Sequence, residues 1–264
     1  MFENKLKRLL QSGGTAVGTM VCDSRSPALA QALAVAGFDW FILDGEHGSY
    51  SLETVSDMLV MARLAGIPPL VRVAHDDYPH VAQILDAGAV GIMVPRVRSA
   101  AQVEQVLRFM KYPPVGDRGM NAARTNTLYH GMKVAEYSDR ANAETMLIVQ
   151  IETREAVEQI DAILALPGVD AVLMGPTDLS MSLGVRDPSH AKVDEYTQKV
   201  VEAAKRAGKP SGTHVGDLGT LKKWKDRGMK LLLYSYDFGL IMSGGAAALK
   251  ELKGVSGKGP EGVP

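Results

Sequence analysis

Residues Leu147–Gly184 read LIVQIETREAVEQIDAILALPGVDAVLMGPTDLSMSLG. The apolar run LIVQIE passes into TREAVEQIDAILALPG, whose apolar residues recur at helical spacing, and then into a second apolar run, AVLMG. That is strand, helix, strand. Both strand runs are nearly all apolar rather than alternating, as parallel strands covered on both faces are. The helical stretch closes on Gly, the residue favoured just past a helix C-terminus. Two carboxylates, Glu152 and Asp178, follow the two strands at their C-terminal ends.

The same alternation runs outward in both directions. Strand-like runs are TAVGTMV from Thr15, WFILD from Trp40, PLVRV from Pro69, GIMVP from Gly91, TMLIVQIE from Thr145, AVLMG from Ala171, PSGTHV from Pro210 and KLLLYS from Lys230. Between them lie stretches of helical period such as SPALAQALAVAG, SLETVSDMLVMARLAG, DYPHVAQILDAG, SAAQVEQVLRFM and LGTLKKWKDRG. Eight βα units in 264 residues predict a single (β/α)8 barrel, a fold that takes about 250 residues. The alternative is an open doubly wound sheet, but no GxGxxG follows the first strand to support a dinucleotide-binding version. The barrel is expected over 1–253, and the Gly/Pro-rich stretch 254–264 as a disordered tail. The segment Lys111–Glu144 is too long for a plain connection and is expected to be functional or to hold extra helix.

Composition narrows the function classes. The 29 basic and 30 acidic residues nearly cancel, which gives no long-range attraction to nucleic acid or an anionic membrane. Cys22 is the only cysteine, so no intrachain disulfide and no cysteine-based zinc site can form. The start, MFENKLKRLLQSGG, lacks the apolar core of a signal peptide, and no apolar run reaches the roughly 18 residues of a membrane span. A soluble, cytoplasmic protein is the expectation. P-loop, HExxH and GxSxG patterns are missing. No lysine lies inside an apolar strand, which argues against imine chemistry and for stabilisation of an enolate by a metal.

In a (β/α)8 barrel the active site lies at the C-terminal ends of the strands. The polar residues there are Asp44, Glu46 and His47 after strand two, Arg72 in strand three, Gln150 and Glu152 in strand five, Asp178 after strand six, and His214 in strand seven. Glu152 and Asp178 on adjacent strand ends repel each other unless a cation lies between them, and a hard divalent ion such as Mg²⁺ or Mn²⁺ suits oxygen ligands. The plainer alternative makes each a helix N-cap, although Thr153 would cap as well as Glu152. Arg72, inside PPLVRVA, either forms a buried ion pair, with Asp44 for example, or holds a substrate carboxylate or enolate oxygen. His47, three residues after Asp44, makes a plausible acid/base unit with that carboxylate. Gly175 and Thr177, flanking Pro176, are candidates to present backbone N–H groups to a substrate carboxylate. Glu46 is read as structural, and His214 stays an open candidate. His75, His80, His130 and His190 have no supporting context. Arg118, in KYPPVGDRGMN, is either part of a rigid turn or a rim contact for an anion or another subunit.

Taken together, GFDWFILDGEHG, LVRV, QILDAGAVGIMVPRV, KYPPVGDRG and the opening stretch resemble the HpcH/HpaI aldolase family, metal-dependent class II aldolases of the phosphoenolpyruvate/pyruvate-binding barrel type. The resemblance runs from Leu6 to about Leu252. It implies metal ligation (Mg²⁺, Mn²⁺ or Co²⁺) by Glu152 and Asp178, contact of Arg72 with the keto oxygen of pyruvate, proton transfer by His47 with Asp44 as its partner acid, and a pocket role for Gln150. Thr177 stands where the family often has Ala, which would narrow the aldehyde pocket or alter stereochemistry. The implied reaction is reversible cleavage of a 4-hydroxy-2-oxo acid to pyruvate, or hydroxypyruvate, and an aldehyde. The implied partners are therefore a small oxo acid and an aldehyde. A homohexamer that exchanges its last helix, Phe238–Lys253, is implied as well. The alternatives are a citramalyl- or malyl-CoA-type lyase, for which Arg124 and Lys133 are weak candidates in a CoA groove, and a non-catalytic binding barrel.

Overall fold

The computed structural model describes residues 3–254. Its eight strands are β1 (Ala16–Val21), β2 (Trp40–Asp44), β3 (Pro69–Arg72), β4 (Gly91–Val94), β5 (Met146–Ile151), β6 (Ala171–Met174), β7 (Ser211–Val215) and β8 (Leu231–Tyr236). Each pairs in parallel with the next, and β8 closes on β1, giving the expected closed barrel. The helices are α1 (Lys5–Gln11), α2 (Ala28–Ala36), α3 (Leu52–Ala65), α4 (Tyr78–Ala87), α5 (Ala100–Met110), α6 (Val134–Glu144), α7 (Arg154–Glu158), α8 (Ile160–Ala165), α9 (Pro176–Ser182), α10 (Ala191–Arg206), α11 (Leu218–Asp226) and α12 (Asp237–Lys253). Of the expected tail, only Gly254, the C-cap of α12, falls within the described residues.

Local chemistry sets these boundaries. Ser51, Asp77, Ser99, Thr153 and Asp217 each accept a backbone N–H of the first turn they precede, which satisfies an otherwise orphaned donor.

Strand parity divides the barrel into a lumen and an outer layer. Trp40, Ile42, Leu70, Met93, Ile148 and Leu173 belong to the inner apolar cluster, whereas Phe41, Leu43, Val71, Ile92, Val149 and Val172 pack outward under the helices. Successive side chains along a strand point to opposite faces, so Asp44, Arg72, Gln150, Glu152, Gly175 and His214 continue the inward rows upward. The lower lumen is filled by large side chains. A Cβ on Gly18 would come within 2.5 Å of the Trp40 ring, so the glycine makes room for the indole. Leu6 and Leu10 of α1 join the inner cluster and plug the floor.

The Lys111–Glu144 segment does contain extra helix: a 3-10 turn, Thr125–Thr127, and α6. It joins a helix to the next strand and therefore belongs to the floor. The Lys111 Nζ donates to the carbonyls of Asn142 (2.8 Å) and Thr145 (2.7 Å), and Thr125 Oγ1 donates to Asp86 O at the end of α4. Arg118 is buried there, paired with Asp86 at 2.5 Å and stacked 4.7 Å from the Tyr112 ring centroid. The rim contact considered for Arg118 is thus replaced by a floor contact. Arg124 and Lys133, the CoA-groove candidates, lie in this same connection.

Candidate active site

Register brings the first charged pair together. Asp44 of β2 is the pairing partner of Arg72 of β3, and both point inward. The Arg72 Nε donates to Asp44 Oδ1 (2.8 Å) and its Nη2 to Oδ2 (2.6 Å), a bidentate clamp, while Nη1 lies 3.0 Å from Glu46 Oε2. Burial alone would raise the Asp44 carboxyl, but the hydrogen bonds and charge of Arg72 outweigh it and hold the group below the usual carboxylate range. Burial likewise opposes the guanidinium charge, and Asp44, Glu46 and Glu152 restore it.

This geometry corrects the expected Asp44–His47 unit. The Asp44 carboxylate accepts only the backbone N–H of His47 (3.2 Å), as it does that of Glu46 (3.1 Å). The exposed His47 imidazole has Glu46 as its carboxylate neighbour, with Nε2 3.9 Å from Oε2. Glu46, read as structural from the sequence, thus links the imidazole to the guanidinium.

Across the mouth stands Glu152, which is 2% exposed. Its Oε1 accepts the backbone N–H of Arg96 at 2.6 Å, and its Oε2 accepts from Gln150 Nε2 at 2.5 Å. Arg96 adopts a left-handed φ of 54°, which turns its N–H toward the carboxylate. A Cβ on Gly175 would lie 2.6 Å from Glu152 Oε2, so only glycine leaves the carboxylate its place. Neither acid is a helix cap. Thr153 caps α7, and Asp178 sits inside the first turn of α9, whose N-cap is Gly175. Burial pushes the Glu152 carboxyl up to about 7; the Arg96 N–H opposes the shift, and the charges of Asp178 and Glu46 add to it. The exposed Asp178 makes no hydrogen bond or ion pair among the described residues.

The backbone-donor expectation divides. The Gly175 N–H is already spent on Ile151 O at 3.1 Å, so it holds β5 to β6 and does not face a substrate. Thr177 is exposed in the first turn of α9, where N–H groups have no helical acceptor. His214 faces the mouth partly buried, with Nε2 3.0 Å from Ser235 O. Two further rim groups escaped sequence reasoning. Cys22 lies with Sγ 3.8 Å from Asp44 Oδ2, and burial, Asp44 and Asp237 push its thiol up to about 12. Asp237 accepts the N–H groups of Cys22, Asp23 and Ser24, which pins the loop after β1. Strand parity alone would have pointed to Cys22; nothing in the sequence marks Asp237.

The donor set fits a hard divalent cation. A buried carboxylate is pushed toward protonation beside a second, unpaired carboxylate, and Gln150, hydrogen-bonded to Glu152, has its Oε1 buried without a partner. No group of three or more His, Cys, Asp or Glu able to hold a metal occurs among the described residues. A site here would therefore leave coordination positions for water or substrate, as Mg²⁺ and Mn²⁺ sites do.

A family model described as HpcH/HpaI aldolase/citrate lyase matches residues 19–233. The chain belongs to this family. This HpcH/HpaI member is 35% identical over 254 residues to a hydroxypyruvate/pyruvate aldolase of Pseudomonas aeruginosa, covering 95% of this chain and 92% of that one. It is 32% identical over 240 residues to a 4-hydroxy-2-oxo-heptane-1,7-dioate aldolase of Escherichia coli, covering 90% and 91%. Among solved structures it resembles an HpcH/HpaI aldolase from Desulfitobacterium hafniense DCB-2, with a TM-score of 0.89, 38% identity, and 97% and 99% of the two chains covered.

Proposed function

We propose that the protein is a divalent-metal-dependent aldolase that reversibly cleaves 4-hydroxy-2-oxo acids to pyruvate, or hydroxypyruvate, and an aldehyde. The observation that carries this reading is Glu152: a buried carboxylate, pushed up to about 7, with Asp178 beside it and a clamped guanidinium opposite. The aldolases of Pseudomonas aeruginosa and Escherichia coli, similar along nearly the whole chain, support the reaction class.

Glu152 and Asp178 would hold the cation. When bound, Mg²⁺, Mn²⁺ or Co²⁺ supplies Lewis-acid polarisation of the donor's keto oxygen. The remaining work falls to the side chains. Gln150 keeps Glu152 oriented through its amide. Asp44 accepts two of the five Arg72 N–H bonds and Glu46 lies in ion-pair contact with Nη1, which fixes the guanidinium and leaves N–H groups for substrate. Those groups steady the negative charge that builds on the keto oxygen as the C3–C4 bond breaks. His47 accepts the proton of the C4 hydroxyl while the aldehyde forms, and the imidazolium so formed returns a proton to C3 to complete pyruvate. The Thr177 N–H, in the first turn of α9 where no helical acceptor reaches it, would bind the substrate carboxylate.

The test is release of pyruvate from a 4-hydroxy-2-oxo acid, followed by a coupled dehydrogenase. Activity is expected to vanish with chelator and to return with Mn²⁺. Full activity in the Glu152→Gln, Asp178→Asn double variant would exclude the metal role.

A homohexamer built by exchange of α12 is part of the same reading. Only Asp237 of this helix is buried, and Phe238, Ile241, Met242, Leu249 and Leu252 are exposed, an apolar face that a second copy would cover. Light scattering is expected to give six times the 28.3 kDa chain mass, and a chain ending at Asp237 to give less than six copies. No helix of the described residues is long and apolar enough to cross a membrane, which is compatible with a cytoplasmic setting.

A further inference from the structure

His214 stands at the mouth on β7, outside the set of residues assigned above to the keto acid. Its register partner on β8 is Leu233, an inner-cluster residue, while its neighbour Val215 packs outward, so the imidazole points into the lumen. Its Nε2 lies 3.0 Å from the carbonyl oxygen of Ser235. A carbonyl oxygen only accepts, so Nε2 carries the hydrogen. Ser235 is held at a left-handed φ of 56° close to where the β1–β8 register shifts, and this irregularity aims its carbonyl at the ring. Burial, reinforced by the charge of Arg72, keeps the imidazole neutral at ordinary pH. The tautomer is therefore fixed, and Nδ1 presents a bare lone pair to which no described residue donates.

The surroundings define what that lone pair can meet. The charged groups stand on β2, β3 and β5 and just after β6: Asp44, Arg72, Glu152 and Asp178. The inward side chains on this side are His214 of β7, Tyr236 of β8, which the register shift brings opposite Met20, and Cys22 after β1, whose thiol burial holds protonated. The one carboxylate beside them, Asp237, is spent on the N–H groups of Cys22, Asp23 and Ser24. The cation whose charge reaches this side, Arg72, is already paired with Asp44 and Glu46, so a substrate end seated here finds no unpaired cation for a second carboxylate. It finds an acceptor suited to a hydroxyl.

Resting on the aldolase reading above, we propose that His214 selects acceptor aldehydes carrying a hydroxyl beside the carbonyl, whose hydrogen bond the bare Nδ1 accepts. A site built around an unpaired acceptor discriminates against an analogue that lacks the donor, because the acceptor is then left unsatisfied.

The test uses pyruvate as donor with Mg²⁺ and compares glycolaldehyde with propanal, which replaces the hydroxyl by a methyl group. The readout is the ratio of kcat/KM for the two aldehydes in the wild type, His214→Leu and His214→Asn. The Leu variant is expected to lower the ratio about tenfold, the size of one hydrogen bond. Asn, which keeps an acceptor near the Nδ1 position, is expected to retain most of it. A Leu variant with the wild-type ratio, or an Asn variant that loses the ratio as fully as Leu does, overturns the proposal. Should the Leu protein be insoluble, Asn against the wild type still decides. Exchange of the pyruvate methyl protons in D₂O separates the two levels. Exchange with an unchanged ratio overturns the role of His214 alone, and absence of exchange overturns the aldolase reading and this proposal together.

Discussion

The two ends of the barrel both bury charge, and they do so differently. At the floor, Lys111 gives its protons to two backbone carbonyls, Glu144 accepts from the Asn4 N–H (2.8 Å) and from Arg8, and Arg118 pairs with Asp86. At the rim, three carboxylates, Asp44, Glu46 and Glu152, gather around one buried guanidinium, that of Arg72, and Asp178 adds its charge beside Glu152. The surplus of one sign falls on Glu152. Burial of charge by itself therefore does not mark a functional site. Convergence of like charges from distant segments, with too few protein cations to balance them, does.

Breaking the rim's central pair is expected to do the most damage. Arg72→Met leaves Asp44 and Glu46 buried without their cation, so stability should fall by about 3–5 kcal/mol. Removal of the donors proposed to steady the keto oxygen should lower kcat/KM by roughly 10³-fold. Urea unfolding and the pyruvate-release assay read the two losses, and a variant of wild-type stability would break the comparison.

Glu152→Gln is expected to separate the two quantities. Activity should drop by about 10²-fold or more if Glu152 holds the metal as proposed. The metal-free variant, however, should be more stable than the metal-free wild type at pH 8. The Glu152 carboxyl titrates at about 7 in the fold against a reference of 4.5, so the folded state binds more protons than the unfolded one between those values. Stability then falls as pH rises through that window and levels off above it, a difference of about 3 kcal/mol. The variant escapes this fall because a glutamine amide does not titrate, and Gln150, whose Oε1 has no partner, can rotate its own amide to match the new side chain. Denaturant titrations in chelator from pH 4.5 to 8 give the sign directly.

The floor should behave in the opposite way. Asn4 caps α1 and donates to the carbonyls of Val90 (3.1 Å) and Glu144 (3.0 Å). Asn4→Ala is expected to lower stability by about 1–2 kcal/mol with kcat/KM unchanged, since the floor of such barrels serves stability. The smallest effect belongs to Thr177→Ala. This exposed side chain at the rim should leave stability within about 0.5 kcal/mol and alter only the relative rates for aldehydes of different bulk, by about threefold as befits loss of a methyl-sized contact.

Much of this was legible in the chain itself. All eight strand-like runs correspond to strands, because a strand covered on both faces must be apolar along its length and so announces itself locally. The rim positions of Glu152 and Arg72 followed from the barrel rule together with their place at strand ends. Partnership was not legible. Nearness in sequence suggested Asp44 for the His47 imidazole, but the β2–β3 register sets Asp44 beside Arg72, and the imidazole falls to Glu46. The Arg96 N–H that grips Glu152 depends on one left-handed residue in a loop, which no side-chain pattern announces. The placement of Arg118 at the floor followed from its position between a helix and the next strand, a topological fact that the chemistry of KYPPVGDRG does not carry.

What the amino-acid sequence determined by itself was architecture and inventory: eight alternating βα units, and acids and an arginine where the strands stop. Tertiary structure alone decided which acid holds which base, which backbone donors remain unspent, and which carboxylate bears the excess charge. The physical reason is range. Periodicity and capping act over a few neighbouring residues, whereas register and burial join residues tens to a hundred positions apart, and those distances set the electrostatics.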